Sequence, residues 1–197
     1  MTVLLWIASA MVLCVVQTMT AWLPSFLHVL GGISEADAAR MMSSSAFGAI
    51  AGPVLLTVLM TRMRQATALT ILLVIGFAVM TSMALVEQHH WLGWASGFAF
   101  GLLVVGSVAG TNALVASSYP TAMRSTGIGW AGGLGRIAAI IGPGLAGAML
   151  VAQWSALAIY AAMSAPLLVA AVATALLALL DKRKAARSVQ DPPLKTS

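Results

Sequence analysis

One charged residue, Arg136, lies within a long run of apolar and glycine residues, and its side chain is the best suited in this sequence to bind a charged ligand. The run, residues 126–150, is long enough to cross a bilayer as a helix, because a span needs about 20 apolar residues. A cation near mid-bilayer costs roughly 2.5 kcal/mol or more, so it is usually kept for a ligand or a partner. A guanidinium binds a carboxylate through two parallel hydrogen bonds, which are strongest away from water. We predict that Arg136 binds the carboxylate of an organic acid; the alternative is a structural lock, in which it pairs with backbone carbonyls or an acidic side chain.

Three uncharged polar residues also fall within apolar runs and are candidates for binding the same ligand. Asn112 lies near the end of the run 91–115, and Gln17 and Thr20 lie three residues apart in the first apolar run. Each side chain could form a hydrogen bond with a substrate hydroxyl group. Each could instead form an interhelical hydrogen bond, which is worth roughly 0.6 to 2 kcal/mol in a membrane, so both interpretations stay open.

The sequence contains no group of residues with the spacing of a catalytic or metal-binding site. The predicted spans contain no Asp or Glu, and the adjacent His89 and His90 lack the spacing of metal ligands. The pattern GxGxxG occurs at residues 127–132, but a dinucleotide site also needs a preceding strand and a βαβ unit, and neither is predicted. We therefore expect no catalytic residue, no cofactor and no metal, and we predict that the protein is not an enzyme.

The composition is that of a polytopic membrane protein. Hydrophobic residues make up 60% of the chain and charged residues 8%, whereas a soluble domain averages about 25% charged residues. Apart from Arg136, the few basic residues lie in loops or at the ends of predicted spans, so the net charge of +5 indicates topology and not nucleic-acid binding. We predict an all-α fold with a six-helix transmembrane domain over residues 1–184 and a polar, disordered tail over residues 185–197. The predicted spans cover about residues 3–30, 39–60, 66–86, 91–115, 126–150 and 155–180.

The distribution of basic residues predicts the orientation of these spans. Lysine and arginine follow the second, fourth and sixth spans, whereas the opposite side has only Arg40. By the positive-inside rule, both termini are cytoplasmic in a multi-pass protein of the plasma (inner) membrane. The basic residues on the cytoplasmic side are Arg62, Arg64, Arg124, Lys182, Arg183, Lys184 and Arg187.

The second and fifth spans contain similar segments around a Gly-Pro pair. Residues 49–55 and 139–145 match at five of seven positions. Each segment lies in the middle helix of a group of three, and the two middle helices cross the membrane in opposite directions. This pattern predicts an inverted 3+3 repeat. Helix kinks that serve gating are predicted at Pro53, Gly142 and Pro143.

A glycine-rich motif begins in the loop before the fifth span and continues through that span. Its residues are Tyr119, Pro120, Thr121, Arg124, Thr126, Gly127, Gly129, Gly133, Gly135, Arg136, Ile137, Gly142 and Pro143. Asn112-Ala113-Leu114 and Trp22-Leu23-Pro24 lie before it. The motif resembles the loop between helices ten and eleven, and helix eleven itself, in transporters of the major facilitator superfamily. The closest resemblance is to the aromatic acid:proton symporter family, and the two shorter segments are similar to that family as well. On this alignment the chain corresponds to spans seven to twelve, the C-terminal half of a twelve-helix carrier.

The resemblance implies a secondary active transporter that moves a small organic anion, such as an aromatic carboxylate, by proton-coupled alternating access. Carriers of this kind bind substrate near mid-membrane between two halves. The resemblance therefore also implies a partner, which is either an N-terminal six-helix half or a second copy of this chain. Because the predicted spans contain no acid, the acid that couples transport to protons would lie on the other half.

The loop after the second span departs from the family pattern. Related transporters carry an Asp-Arg-x-Gly gating motif there, whereas this chain has Thr61-Arg62-Met63-Arg64, so the acid and the glycine are missing. Arg62 and Arg124 remain as candidate gating residues. The departure supports an alternative interpretation, in which the chain is a transport-inactive fragment or a membrane interaction protein derived from such a carrier.

Overall fold

The chain folds into a bundle of long helices. The computed structural model describes residues 1–29, 32–84 and 90–190. Six segments of this part of the chain are long and apolar enough to cross a membrane, which confirms the predicted all-α fold with six spans. The helices are α1 (Thr2–Val29), α2 (Glu35–Met60), α3 (Gln65–Ser82), α4 (His90–Phe100), α5 (Gly106–Ser118), α6 (Arg124–Val151) and α7 (Ala156–Gln190).

The fourth span consists of α4 and α5 joined by a π-helical turn, Gly101–Val105. A π turn accommodates one more residue than an α-helical turn and is often found at functional sites. A short 3-10 turn, Thr121–Met123, leads into α6.

Two helix ends differ from the predicted boundaries for local reasons. The second span was predicted from residue 39, but α2 begins at Glu35 because the Ser34 hydroxyl accepts a hydrogen bond from the amide of Asp37 at 3.2 Å. The tail was predicted to be disordered from residue 185, and this is wrong as far as Gln190, where α7 ends. Lysine, arginine and alanine, which favour helix, are frequent beyond residue 180. The rest of the predicted tail, residues 191–197, lies outside the described residues, as do Leu30 and residues 85–89 at other predicted span ends.

The six spans pack in a reciprocal arrangement. The middle helix of the first group, α2, packs against α4 and the π turn, which begin the second group. The middle helix of the second group, α6, packs against α1, which begins the first group, and the third helices α3 and α7 pack together. Two inverted three-helix units exchange contacts in this way, so the packing agrees with the predicted 3+3 repeat.

The core of the bundle lies between α1, α3 and α7. Phe26 of α1 and Tyr160 of α7 meet edge to face, with ring centroids 5.9 Å apart, and both are fully buried. A hydrogen bond of 2.8 Å between the hydroxyls of Thr70 and Thr174 links α3 to α7. Such contacts hold three of the helices firmly together, as expected where lipid removes the hydrophobic driving force between helices.

Glycines bring α2 into direct contact with the backbone of the fourth span. A Cβ atom on Gly52 would lie 2.7 Å from the Cα of Gly106, and one on Gly101 would overlap the carbonyl oxygen of Ser45. The neighbour is backbone in both cases, so no side chain can move aside. Dispersion between closely packed backbones therefore holds this helix pair together.

The helix α6 is attached to the bundle along one narrow side. Only 17% of its spanning segment is buried, compared with 50% for α1. The attached side contacts α1, where the thiol of Cys14 donates a hydrogen bond of 3.3 Å to the carbonyl oxygen of Ala138 and Gly142 lies against Thr18. Most of α6 therefore faces away from the other five spans.

We expect Gly101→Ala to destabilise the bundle strongly, because its Cβ would overlap the backbone of Ser45. Overpacking of this kind costs about 1–3 kcal/mol or more. The matched control is Gly133→Ala on α6, since no heavy atom lies within 4 Å of a Cβ built there. Thermal unfolding of both variants in nanodiscs would measure the difference, and equal melting temperatures would contradict the proposed close packing.

Candidate functional site

A cavity of about 430 Å³ opens between α1, α5 and α6, and each of these helices contributes one polar side chain to it. Gln17 comes from α1, Asn112 from α5 and Arg136 from α6. The structure therefore brings together three of the four residues that the sequence suggested for substrate binding. The apolar and glycine residues that complete the lining are Leu13, Ile128, Gly129, Gly132, Gly135 and Ala139.

Arg136 is a cation without a counterion among the described residues. Within this part of the chain, the ion pair that forms joins Arg40 and Asp37 at 3.0 Å, outside the cavity. The acids here, Glu35, Asp37 and Asp181, lie at the ends of the candidate spans. A guanidinium in the interior of a span is costly when unpaired, so the cavity is suited to an anion.

The amides of Gln17 and Asn112 have no hydrogen-bond partner in the described part of the chain, and both side chains are exposed to the cavity. The interhelical hydrogen bond that was the other interpretation of these residues is therefore not formed there. An amide can both donate and accept a hydrogen bond. The cavity thus offers two groups that could bind a hydroxyl beside one cation that could bind a carboxylate.

Thr20, the fourth predicted binding residue, does not line this cavity. It is exposed and lies about one turn beyond Gln17 on α1. The spacing of three residues suggested a shared face, but of the two residues only Gln17 belongs to the lining of the cavity. Thr18, two residues before Thr20 on α1, contacts Gly142 of α6 at a point where the two helices pack closely.

Glycine backbone forms the wall of the cavity beside Arg136. No heavy atom lies within 4 Å of a Cβ built on Gly129 or Gly132. At Gly135 the equivalent space is filled by Leu13, whose Cβ lies 3.1 Å from that position. The remaining wall residues are apolar, so the cavity suits a small molecule with one anionic end and an apolar body, which is the usual composition of a ligand pocket.

The predicted gating residues lie at the internal prolines of α2 and α6 and next to helix ends. The hydroxyl of Thr57 donates a hydrogen bond of 2.8 Å to the carbonyl oxygen of Pro53 in α2, and Gly142 with Pro143 lies where α6 contacts α1. Arg62 follows α2 and Arg124 begins α6; both side chains are exposed.

The start of the glycine-rich motif has a structural basis in the packing of Tyr119. Its ring packs against Gly127 at the start of α6, where a Cβ would lie 2.6 Å from the ring. Tyr119 also lines a second cavity, of about 780 Å³, with Arg64 and Asp181 at the end of the bundle. The glycine at position 127 therefore allows the loop to fold back onto the helix that it precedes.

The π turn was not predicted, although the glycine spacing contained a signal for it. Gly97 and Gly101 are four residues apart, as are Gly106 and Gly110, but Gly101 and Gly106 are five apart. All four glycines contact α2. The two pairs are thus separated by one residue more than a regular repeat of four. All four glycines can still lie on the same face of the helix if the helix widens locally, as it does in a π turn.

Comparison with known proteins identifies the family. The model of the Major Facilitator Superfamily matches residues 5–196. The chain belongs to this superfamily. The fold, the reciprocal packing and the motif at Tyr119 agree with the assignment, and the predicted resemblance is confirmed. No solved structure matches the chain significantly.

Curated relatives in this superfamily are transporters of aromatic acids by name. The chain is 33% identical to the 3-(3-hydroxy-phenyl)propionate transporter of Escherichia coli (strain K12) over 89% of its own length and 43% of the relative's. It is 30% identical to the gallate transporter of Pseudomonas putida, over 76% and 33% of the two chains. It is 29% identical to the 4-hydroxybenzoate transporter PcaK of Acinetobacter baylyi, over 87% and 37%.

The chain thus spans less than half the length of these relatives. The names of the relatives agree with the predictions of a multi-pass membrane protein and of a protein that is not an enzyme.

We expect a cysteine at position 112 to react with a hydrophilic methanethiosulfonate reagent, because Asn112 is exposed to the cavity. The matched control is Thr111→Cys, since Thr111 is only 3% exposed. Both would be made in a Cys14→Ala background, which removes the single native thiol. Reaction should be at least an order of magnitude faster at position 112. Similar rates at the two positions would contradict the orientation of α5.

Proposed function

We propose that the chain is the C-terminal half of a secondary transporter and that it binds small aromatic carboxylates in the cavity between α1, α5 and α6. The observation that carries the proposal is the unpaired guanidinium of Arg136 in this cavity. A carboxylate would supply the missing negative charge and accept two hydrogen bonds from it. In the alternative of a structural lock, an acid from another half of the carrier supplies that charge.

The substrates named for the relatives support this choice of ligand. 3-(3-Hydroxy-phenyl)propionate, gallate and 4-hydroxybenzoate share a carboxylate and a hydroxylated ring. Gln17 and Asn112 lie on the two other helices of the cavity and offer amide groups for the ring hydroxyls. The cavity therefore offers one cation for the carboxylate and two amides for ring hydroxyls.

A complete carrier requires a second six-helix half, because alternating access moves one half against the other around a central site. The largely uncovered face of α6 is suited to such a partner. If two copies of this chain formed the carrier, two Arg136 side chains would lie at the shared site. The interiors of the described spans supply no acid to balance their charges. An N-terminal half that carries a carboxylate is therefore the better partner, and that carboxylate would also couple transport to protons. We place both termini in the cytoplasm and the carrier in the plasma (inner) membrane, on the basis of the arginine and lysine distribution.

We expect Arg136→Lys to reduce uptake of labelled 4-hydroxybenzoate, because lysine keeps the charge but loses the two-pronged hydrogen bonding. The apparent affinity should fall about tenfold or more, which corresponds to about 1.4 kcal/mol. The measurement is uptake by vesicles that hold this chain, alone and with a co-expressed N-terminal six-helix half, under an inward proton gradient. Arg40→Gln is the matched control, since Arg40 pairs with Asp37 outside the cavity. Unchanged affinity in Arg136→Lys would rule out the carboxylate clamp, and absence of uptake in both preparations would favour the transport-inactive fragment.

We expect Asn112→Ala and Gln17→Ala to weaken uptake of hydroxylated acids more than uptake of benzoate. Each lost hydrogen bond is worth about 0.5–1.5 kcal/mol, or roughly a two- to tenfold change in affinity. Thr20→Ala should leave both substrates unaffected, because Thr20 lies outside the cavity. Competition between benzoate and 4-hydroxybenzoate in one vesicle preparation measures the ratio directly. An equal loss for both acids would assign the two amides a structural role.

A further inference from the structure

We infer that Gly132 is a specificity-determining residue, over whose bare backbone the aromatic ring of the substrate lies. This inference rests on the proposed function, in which Arg136 holds the carboxylate. The inference extends the proposed function by assigning a position to the aromatic ring and by explaining why the cavity accepts a flat molecule.

The position follows from helix geometry and from the empty space beside Arg136. Gly132 precedes Arg136 by four residues, so the two lie on one face of α6 about 6 Å apart along the helix axis. No atom lies within 4 Å of a Cβ built on Gly132, so the side chain of Arg136 does not cover it. Of the other cavity glycines, Gly129 is also open and Gly135 is filled by Leu13. The free volume next to the cation therefore lies over Gly132 and Gly129.

The absence of a side chain at Gly132 determines what fits there. Atoms of an aromatic ring can approach a glycine backbone to about 3.5–4 Å, the distance at which dispersion is most favourable. A methyl group at this position would occupy the space that the ring needs. With such a methyl group, binding of a ring with bulky or multiple substituents would be weakened more than binding of an unsubstituted ring.

The adjacent Gly133 provides a matched control. A Cβ built on Gly133 also has no atom within 4 Å, so a substitution is tolerated equally well by the fold. Gly133 lines a neighbouring groove with Trp130, Leu134 and Ile137. This groove shares Gly129 with the Arg136 cavity, but Gly133 is absent from the lining of that cavity. The two positions differ in the cavity that they face and not in local crowding.

The first test uses thiol labelling, which does not require transport. Gly132→Cys and Gly133→Cys would be made in a Cys14→Ala background, and the chain would be reconstituted in nanodiscs. Each would be reacted with 4-(hydroxymercuri)benzoate, an aromatic carboxylate, and with phenylmercuric acetate, which lacks the carboxylate. The expected result is a preference for the carboxylate reagent of about an order of magnitude at position 132. The preference should be absent at position 133 and lost from position 132 when Arg136→Gln is added.

A reporter elsewhere in the cavity separates failure of this inference from failure of the proposed function. Ile128→Cys also lines the cavity, and 4-hydroxybenzoate should protect it from labelling in a manner that depends on Arg136. Protection at Ile128→Cys without a carboxylate preference at Gly132→Cys would overturn the position of the ring and leave the proposed function standing. Absence of Arg136-dependent effects at both positions would overturn both.

The specificity itself is tested with Gly132→Ala combined with the Ile128→Cys reporter. The concentration of gallate needed for protection should rise several-fold more than the concentration of benzoate, because gallate carries more ring substituents. Gly133→Ala should change neither value. An equal change for the two acids in Gly132→Ala would overturn the role of Gly132 in specificity.

Discussion

The structure depends on one electrostatic constraint, an unpaired guanidinium in the interior of a membrane span. Arg136 has no counterion among the described residues, and a charge at this depth is costly when it is left alone. The surrounding cavity has two neutral amides and otherwise apolar walls. This arrangement suits a molecule with one anionic end and an apolar body, and both proposals for the cavity follow from that match.

Glycine packing makes the cavity possible. The backbones of α2 and the fourth span touch at Gly52, Gly101 and Gly106, so this side of the bundle is narrow and rigid. On α6 the glycines have the opposite effect, since Gly129 and Gly132 leave space open beside Arg136. The same residue type therefore closes one interface and opens another, according to whether a neighbouring backbone occupies the space.

The reciprocal packing explains why six helices form a coherent unit in which one helix, α6, is largely uncovered. Each middle helix is attached to the first helix of the other group, and the third helices close the bundle. This arrangement leaves most of α6 uncovered and places the cavity at the edge of the bundle. Relatives more than twice as long as the matched region have the additional chain that could cover such a face.

The sequence by itself determined the membrane class, the number of spans, the repeat around the Gly-Pro pairs and the presence of one charge, Arg136, within a span. These features depend on the length and hydrophobicity of local segments and on the cost of a charge in lipid, which need no knowledge of packing. The end of α7 was mispredicted because the polar composition after residue 184 suggested a disordered tail. The residues there also have high helix propensity, and the helix extends to Gln190.

Only the tertiary structure decided which polar residues share a cavity with Arg136. Gln17 and Asn112 face it and Thr20 does not, because the direction of a side chain depends on how its helix is rotated against its neighbours. The π turn at Gly101–Val105 inserts one residue between α4 and α5 and so affects the rotation that presents Asn112. Likewise, the space beside Gly132 is open, whereas the space beside Gly135 is occupied by Leu13 of α1. The spacing of glycines along α6 could not predict this difference, because it depends on a neighbouring helix.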